Sequence, residues 1–294
     1  GGTIAAVYTT GVNLANALTV ASGNLTIQGS SLVGGIATPL AGSSATGSRY
    51  GFSTAAAGDI TVSGNISLAG TSVTFMGGYL LGDVLSTDGN VALTGSGLYA
   101  MSLSAPVTAG TGANPRTLTI TTTGSNGYGL NTAAAAALSA TGSIALTSYA
   151  TTGASGLAIA APIRSTLRGD VVISSYAGGV AGDHAFTLGA ALSAANGGIT
   201  LQGSALIGGV ATAAPGTAMT SRQGAGFTST SVGATLTATG DILIRAASLE
   251  RVVGSVGVLT NGAIVSTLGN VVIAGRGVTG VDLNAPVTVG SGST

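Results

Sequence analysis

With 294 residues, no formal net charge and only 5% of residues charged, the chain carries nothing that attracts nucleic acid or an anionic membrane surface over a distance. Cys and Trp are absent, which excludes disulfides, thiolate metal sites and redox dithiols. The eight basic residues are all Arg, set against seven Asp and one Glu, so little charge repulsion opposes contact between copies and self-association is expected.

Hydrophobic residues make up 45% of the chain, but Gly, Ser and Thr interrupt each apolar stretch before it reaches the roughly 20 residues of a membrane helix, so no membrane insertion is expected. The 51 Gly follow no triplet period and Pro numbers only 6, which excludes collagen. The apolar residues fall on a strand period, so enough surface can be buried to offset chain entropy and the composition does not signal disorder. Gly1-Gly2-Thr3-Ile4-Ala5-Ala6 lacks the basic residues and apolar run of an export signal, and Gly290-Ser291-Gly292-Ser293-Thr294 stops in mid-pattern. A section of a longer polypeptide is the expectation.

In chain order, a turn residue, often Gly followed by Asn or Asp, precedes an apolar-any-apolar triplet. The copies are Gly23-Asn24-Leu25-Thr26-Ile27, Gly58-Asp59-Ile60-Thr61-Val62, Gly89-Asn90-Val91-Ala92-Leu93 and a looser Arg116-Thr117-Leu118-Thr119-Ile120. They continue as Gly142-Ser143-Ile144, Gly169-Asp170-Val171, Gly197-Gly198-Ile199, Gly240-Asp241-Ile242 and Gly269-Asn270-Val271, each with a second apolar residue two positions on. The first apolar position thus recurs at 25, 60, 91, 118, 144, 171, 199, 242 and 271. Self-similarity at this period marks a stacked solenoid, and a triplet that alternates marks a strand. The fold class is therefore all-β, a β-solenoid of about nine coils of roughly 26–43 residues, continuous over residues 1–294 as one body.

Each coil is expected to hold two or three short strands that pair in parallel with those of the next coil about 4.8 Å away, giving a rod of roughly 40–45 Å. The apolar residues of each triplet point inward, and the Gly residues sit between strands, where a corner can require φ > 0. A longer repeat lies over the first. Leu25–Thr38 returns as Ile199–Thr212, and Leu103-Ser104-Ala105-Pro106-Val107-Thr108 as Leu283-Asn284-Ala285-Pro286-Val287-Thr288. Groups of coils were duplicated, which a stack tolerates because each unit touches only its neighbours.

Two columns follow from the register. The residue before each triplet runs Asn24, Asp59, Asn90, Thr117, Ser143, Asp170, Gly198, Asp241, Asn270, with no two Asp adjacent and with side chains able to share hydrogen bonds along a ladder. The outward middle residue turns apolar toward the end, at Val172, Leu243 and Val272, which predicts that a loop or another molecule covers that face. The long spacings after Leu25 and Ile199 carry related excursions with Arg49, Tyr50 and Phe52 in one and Arg222 and Phe227 in the other. These eight residues are the candidate partner contacts, although for Phe52 and Phe227 the favoured reading is that they pin the loops to the rod.

Other motifs dissolve into the repeat. Gly275-Arg276-Gly277-Val278-Thr279-Gly280 fits a dinucleotide fingerprint, but the alternating, Pro-containing segment after it cannot be the helix that receives a pyrophosphate. Arg168-Gly169-Asp170 spells an integrin-type tripeptide, yet Gly-Asp belongs to the ordinary phrase. His184, the only histidine, reads as a solvated turn residue, since one His beside one Asp makes neither a metal site nor a triad. Asn24-Leu25-Thr26 and Asn65-Ile66-Ser67 match glycosylation acceptors through the repeat alone. Thr117, Thr119 and Thr121 do not recur on enough rungs for an ice-ordering array, and Ala133–Ala137 is too short for a helix. The eight acids are scattered, with Asp83 and Asp88 the one close acidic pair, so no paired-carboxylate catalytic site is visible and neither an enzyme nor any cofactor or metal is expected.

The Gly-Asn/Asp-apolar-x-apolar phrase, repeated in a background of Gly, Ala, Thr, Ser and Val, resembles the shaft repeats of filamentous haemagglutinin-like adhesins and related autotransporter passengers of Gram-negative bacteria. The resemblance covers almost the whole chain and implies a right-handed parallel β-helix, export to the cell surface or beyond, and a role in attachment, aggregation or biofilm. The chain lacks that family's Asn-Pro-Asn-Leu type secretion signature, so it reads as a shaft section of a filament that self-associates and touches host, abiotic or glycan surfaces. The alternative is a β-helix that binds or degrades a polysaccharide.

Overall fold

Short alternating segments bounded by Gly, Asn and Asp cannot bury an apolar face alone, so they must bury it against the next copy. The computed structural model describes residues 10–31, 50–151, 155–178, 184–205, 225–248 and 255–290. Every regular element among them is a strand, and the strands form three parallel sheets. One turn of the chain passes through strands of typically five, three and seven residues, as in Tyr99–Leu103, Val107–Ala109 and Leu118–Gly124. The five- and three-residue sheets are each 10-stranded and the seven-residue sheet is 9-stranded among the described residues. Each strand pairs in register with its counterpart one coil on, as Leu118 does with Ile144 and Ile144 with Val171. The fold is thus the parallel β-helix that the repeat predicts, and ten rungs extend about 43 Å.

Alternation along the seven-residue strands sends Leu118 and Ile120 inward and Thr119, Thr121 and Thr123 outward. The inward column joins residues of the other two sheets, such as Leu103, Leu130 and Leu138, in one continuous core. Burial of each such side chain contributes roughly 1.5–3 kcal/mol. The expected inward residues from Val91 to Ile244 are buried, while Leu25, Ile27, Val271 and Ile273, in the outermost described strands of the seven-residue sheet, are partly buried.

One copy of the phrase sits elsewhere than its sequence suggests. Ile60-Thr61-Val62 is a strand of the three-residue sheet, pairing with Leu18-Thr19-Val20 and Val84-Leu85-Ser86. The second rung of the seven-residue sheet is Ile66–Ser72, introduced by Gly64-Asn65. The first long coil therefore spans 41 residues, from Asn24 to Asn65, close to the 43 that separate Ile199 from Ile242. The two duplicated coils are near equals in length.

The corner before the seven-residue sheet shows why the phrase contains Asn or Asp. Asn24 Oδ1 accepts the backbone N–H of Asn65 at 2.8 Å, Asn65 Oδ1 that of Asn90 at 2.8 Å, and Asn90 Oδ1 that of Thr117 at 2.8 Å. Further along, Ser143 Oγ accepts from Asp170, Asp170 Oδ1 from Gly198 and Asp241 Oδ1 from Asn270. Each side chain satisfies a corner donor that the strand ladders cannot reach. The expected ladder is present in three stretches, broken after Thr117 and at Gly198; its links run mainly from backbone donor to side-chain acceptor, and Asn65 replaces Asp59 in it. At the corner between the five- and three-residue sheets, the Thr54 hydroxyl does the same work, accepting from the N–H groups of Leu81 and Gly82.

Glycine serves mainly as an absence of volume. Positive φ occurs at Gly23, Gly110, Gly127, Gly169 and Gly290 among the described residues. At most of the other described glycines the requirement is space. Where the seven- and five-residue sheets converge, a Cβ on Gly70 would overlap the Gly77 carbonyl, and a Cβ on Gly203 the Gly226 carbonyl. Coils with a larger residue at this seam bridge it, as Ser148 Oγ donates to the Gly156 carbonyl and Ser175 Oγ to the Ala185 carbonyl, while Thr122 Oγ1 donates along the sheet to Ser148 Oγ. Gly70→Ala should therefore destabilise the fold by about 3 kcal/mol or more, the upper range for overpacking. Gly112→Ala, where a Cβ meets nothing within 4 Å, should change stability by less than about 0.5 kcal/mol. Thermal and urea unfolding of the two variants make the comparison.

Candidate functional site

The seven-residue sheet presents a broad outer face of three columns. The first contains Val172, Thr200, Leu243 and Val272 on successive rungs. Val172 is 39% exposed, Val272 51% exposed and Leu243 half-buried, and no described residue covers them as a loop would. Leu243, Val272 and Thr200 line a shallow depression of about 1010 Å³ together with Arg245, Leu268, Asp170 and Asp241. Both carboxylates at its rim are committed through Oδ1 to the corner ladder.

The second and third columns meet over the later rungs. Thr147, Ser174, Gln202 and Arg245 stand in register, beside Tyr149, Tyr176 and Ser204. The two tyrosine rings lie 5.9 Å apart between centroids and tilt by 41°. These residues line a second depression of about 430 Å³, and Arg245 borders both. No sequence argument singled out Tyr149, Tyr176, Gln202 or Arg245. The signal was available, because Tyr149 and Tyr176 each lie five residues after the first apolar residue of their strands, Ile144 and Val171.

The remaining candidates disperse. Phe52 and Phe227 are buried at 2% and 0% exposure, Phe227 against Phe186 at 5.1 Å, so they belong to the core and not to a partner surface. The inward middle position of a five-residue strand places them there. Tyr50 is half-buried and stacks on Tyr79 at 4.9 Å, on a different sheet from Val172 and Leu243. Arg49 and Arg222 lie outside the described residues. Gly275–Gly280 continues into the strand Thr279–Leu283, with no helix to receive a phosphate. Asp170 of Arg168-Gly169-Asp170 is a ladder member, as the repeat reading holds. Thr117 sits at the corner, outside the Thr119–Thr123 row. Asp88 pairs with Arg116 at 2.6 Å, which holds its carboxyl below the ordinary range through that hydrogen bond and charge.

His184 is the first residue of the strand His184–Leu188 and pairs with Ser155, so it is not the solvated turn residue that the sequence suggests. Its Nδ1 is buried without a partner among the described residues, and burial pushes its pKa below 6.5. Among the described residues no group of three His, Asp or Glu is placed to hold a metal, and no helix is long and apolar enough to cross a membrane. Family models, curated proteins and solved structures offer no match to the chain.

The lowered His184 pKa sets a sign for pH dependence. The unfolded chain takes up a proton near pH 6.5, whereas the folded chain takes it up only at lower pH, so acid favours unfolding in that window. Stability should fall as pH drops from about 6.5 toward the folded pKa, and His184→Gln should flatten that slope while leaving the shape above pH 7 unchanged. Melting temperatures across pH 5–8 read the difference.

Proposed function

We propose that the chain is a shaft section of a secreted or cell-surface filament, with a structural and adhesive role in attachment, aggregation or a biofilm matrix, and without enzymatic activity. The observation that carries the reading is the in-register stack whose outer face leaves Val172, Leu243 and Val272 uncovered by any described residue. A stack adds length without redesign, so it holds contact surfaces at a fixed repeat. Its formal charge of zero and charged fraction of 5% leave little repulsion to keep neighbouring rods apart. The resemblance to adhesin shaft repeats points to the same role. Its partners are then other copies of the rod, and surfaces met by the outer face of the seven-residue sheet.

A degradative role is less favoured, because the two carboxylates beside the larger depression, Asp170 and Asp241, each hold a corner N–H and stand two rungs apart with Gly198 between them. The test is lateral association. The triple variant Val172→Thr, Leu243→Thr, Val272→Thr keeps strand-forming side chains but removes the apolar strip. Electron microscopy and sedimentation at matched concentration should show bundles of the unaltered rod, and at least a severalfold loss of bundling in the variant with its melting temperature retained. Equal bundling by both proteins contradicts the proposal.

A further inference from the structure

We propose that the depression over Tyr149, Tyr176, Gln202 and Arg245 binds a carboxylate-bearing polysaccharide, a chain of uronic acid units. The inference rests on the reading of this sheet face as the contact surface and names a ligand class for one part of it.

Four rungs place the groups of this depression side by side. Thr147, Ser174, Gln202 and Arg245 form a polar column, and Tyr149 and Tyr176 an aromatic one beside it. Successive strands are about 4.8 Å apart, so from Thr147 to Arg245 the groups line a shallow track of about 14 Å running along the rod. An elongated, open track suits successive units of a linear polymer better than a compact metabolite, which a deeper pocket would enclose.

The aromatic pair supplies the platform. The rings are tilted by 41° at 5.9 Å, so neither face is consumed by stacking on the other, and Tyr149 is 49% exposed. An exposed ring face matches the C–H face of a pyranose, while the phenol hydroxyl remains free for the ring substituents. The polar column supplies the acceptors and donors that a sugar hydroxyl needs. The Gln202 side-chain amide has no hydrogen-bond partner among the described residues, and neither does either phenol oxygen.

The charge selects the sugar. Arg245 is exposed and has no ion pair among the described residues, and the lining of the 430 Å³ depression contains no Asp or Glu. Asp170 and Asp241 line the other depression that Arg245 borders, but neither pairs with it, so its guanidinium fork can meet a carboxylate in two parallel hydrogen bonds. The one cation, at one end of the track, pairs with the carboxylate of the unit seated there. A densely sulfated polymer would call for several cations along the same length.

Calorimetric titration of the purified chain with oligogalacturonate at neutral pH and low salt tests the proposal, with neutral dextran and dextran sulfate as parallel probes. Oligogalacturonate should bind, more weakly as salt rises, and more tightly than either dextran. Arg245→Gln should weaken it at least tenfold, Arg245→Lys less, and Tyr149→Ala with Tyr176→Ala at least tenfold, all with melting temperatures retained. The proposal is overturned if the unaltered chain does not bind oligogalacturonate, if Arg245→Gln binds as well as the parent, or if dextran sulfate binds more tightly. The Val172, Leu243, Val272 triple Thr variant separates the two readings, since it should lose bundling and keep oligogalacturonate affinity. Loss of bundling in the parent with affinity intact would remove the filament reading alone.

Discussion

The spacing of about 4.8 Å between coils is the constraint on which the rest of the structure depends. At that distance a residue's nearest neighbour is its own counterpart one coil away, so each position along the coil must choose a residue type that tolerates a copy of itself above and below. Inward positions choose Leu, Ile and Val, which pack in columns. The seam between the five- and seven-residue sheets chooses Gly, Ala, Ser or Thr, because the two backbones approach too closely for anything larger. Corner positions choose Asn, Asp or Ser, whose oxygen receives the next coil's N–H. The repeat phrase in the sequence is the record of the inward and corner choices, and the seam residue follows two positions after it.

The same constraint explains which parts were legible. A column of apolar residues two apart, repeated nine times, specifies parallel strands stacked in register, and the buried column from Val91 to Ile244 follows it. The copy at Gly58–Val62 misled because the three-residue sheet has the same apolar-any-apolar triplet and its own corner acid, with Asp59 Oδ1 accepting from the Asp83 N–H. A triplet cannot tell a strand of three from the start of a strand of seven. Phe52 and Phe227 were ambiguous for a related reason: their five-residue strands lack a clean alternation, and only the register with Gly78 and Val258 turns them inward.

The candidate site was half legible. Val172, Leu243 and Val272 are the middle residues of triplets, so their outward position could be read directly. Tyr149, Tyr176, Gln202 and Arg245 lie on the later residues of seven-residue strands, beyond the triplet, and their assembly into one track needs the full strand length and the register of four rungs. The physics of the face divides accordingly. Its apolar strip suits contact between rods, and its aromatic and polar columns suit a polymer laid along the rod axis. Both proposed uses would draw on a fold that holds equivalent side chains at a constant interval.

The central claim is that distance along the rod is counted in rungs and not in residues. Because the chain has no Cys, single pairs can be introduced and spin-labelled at Thr26, Thr119 and Val272, three outward positions of the seven-residue sheet. Pulsed electron resonance should then give separations near 14 Å for three rungs, 24 Å for five and 38 Å for eight, each widened by the label, about 4.8 Å per rung and adding along one line. Three similar distances, or a Thr26 to Val272 distance well short of the sum of the other two, would contradict the account.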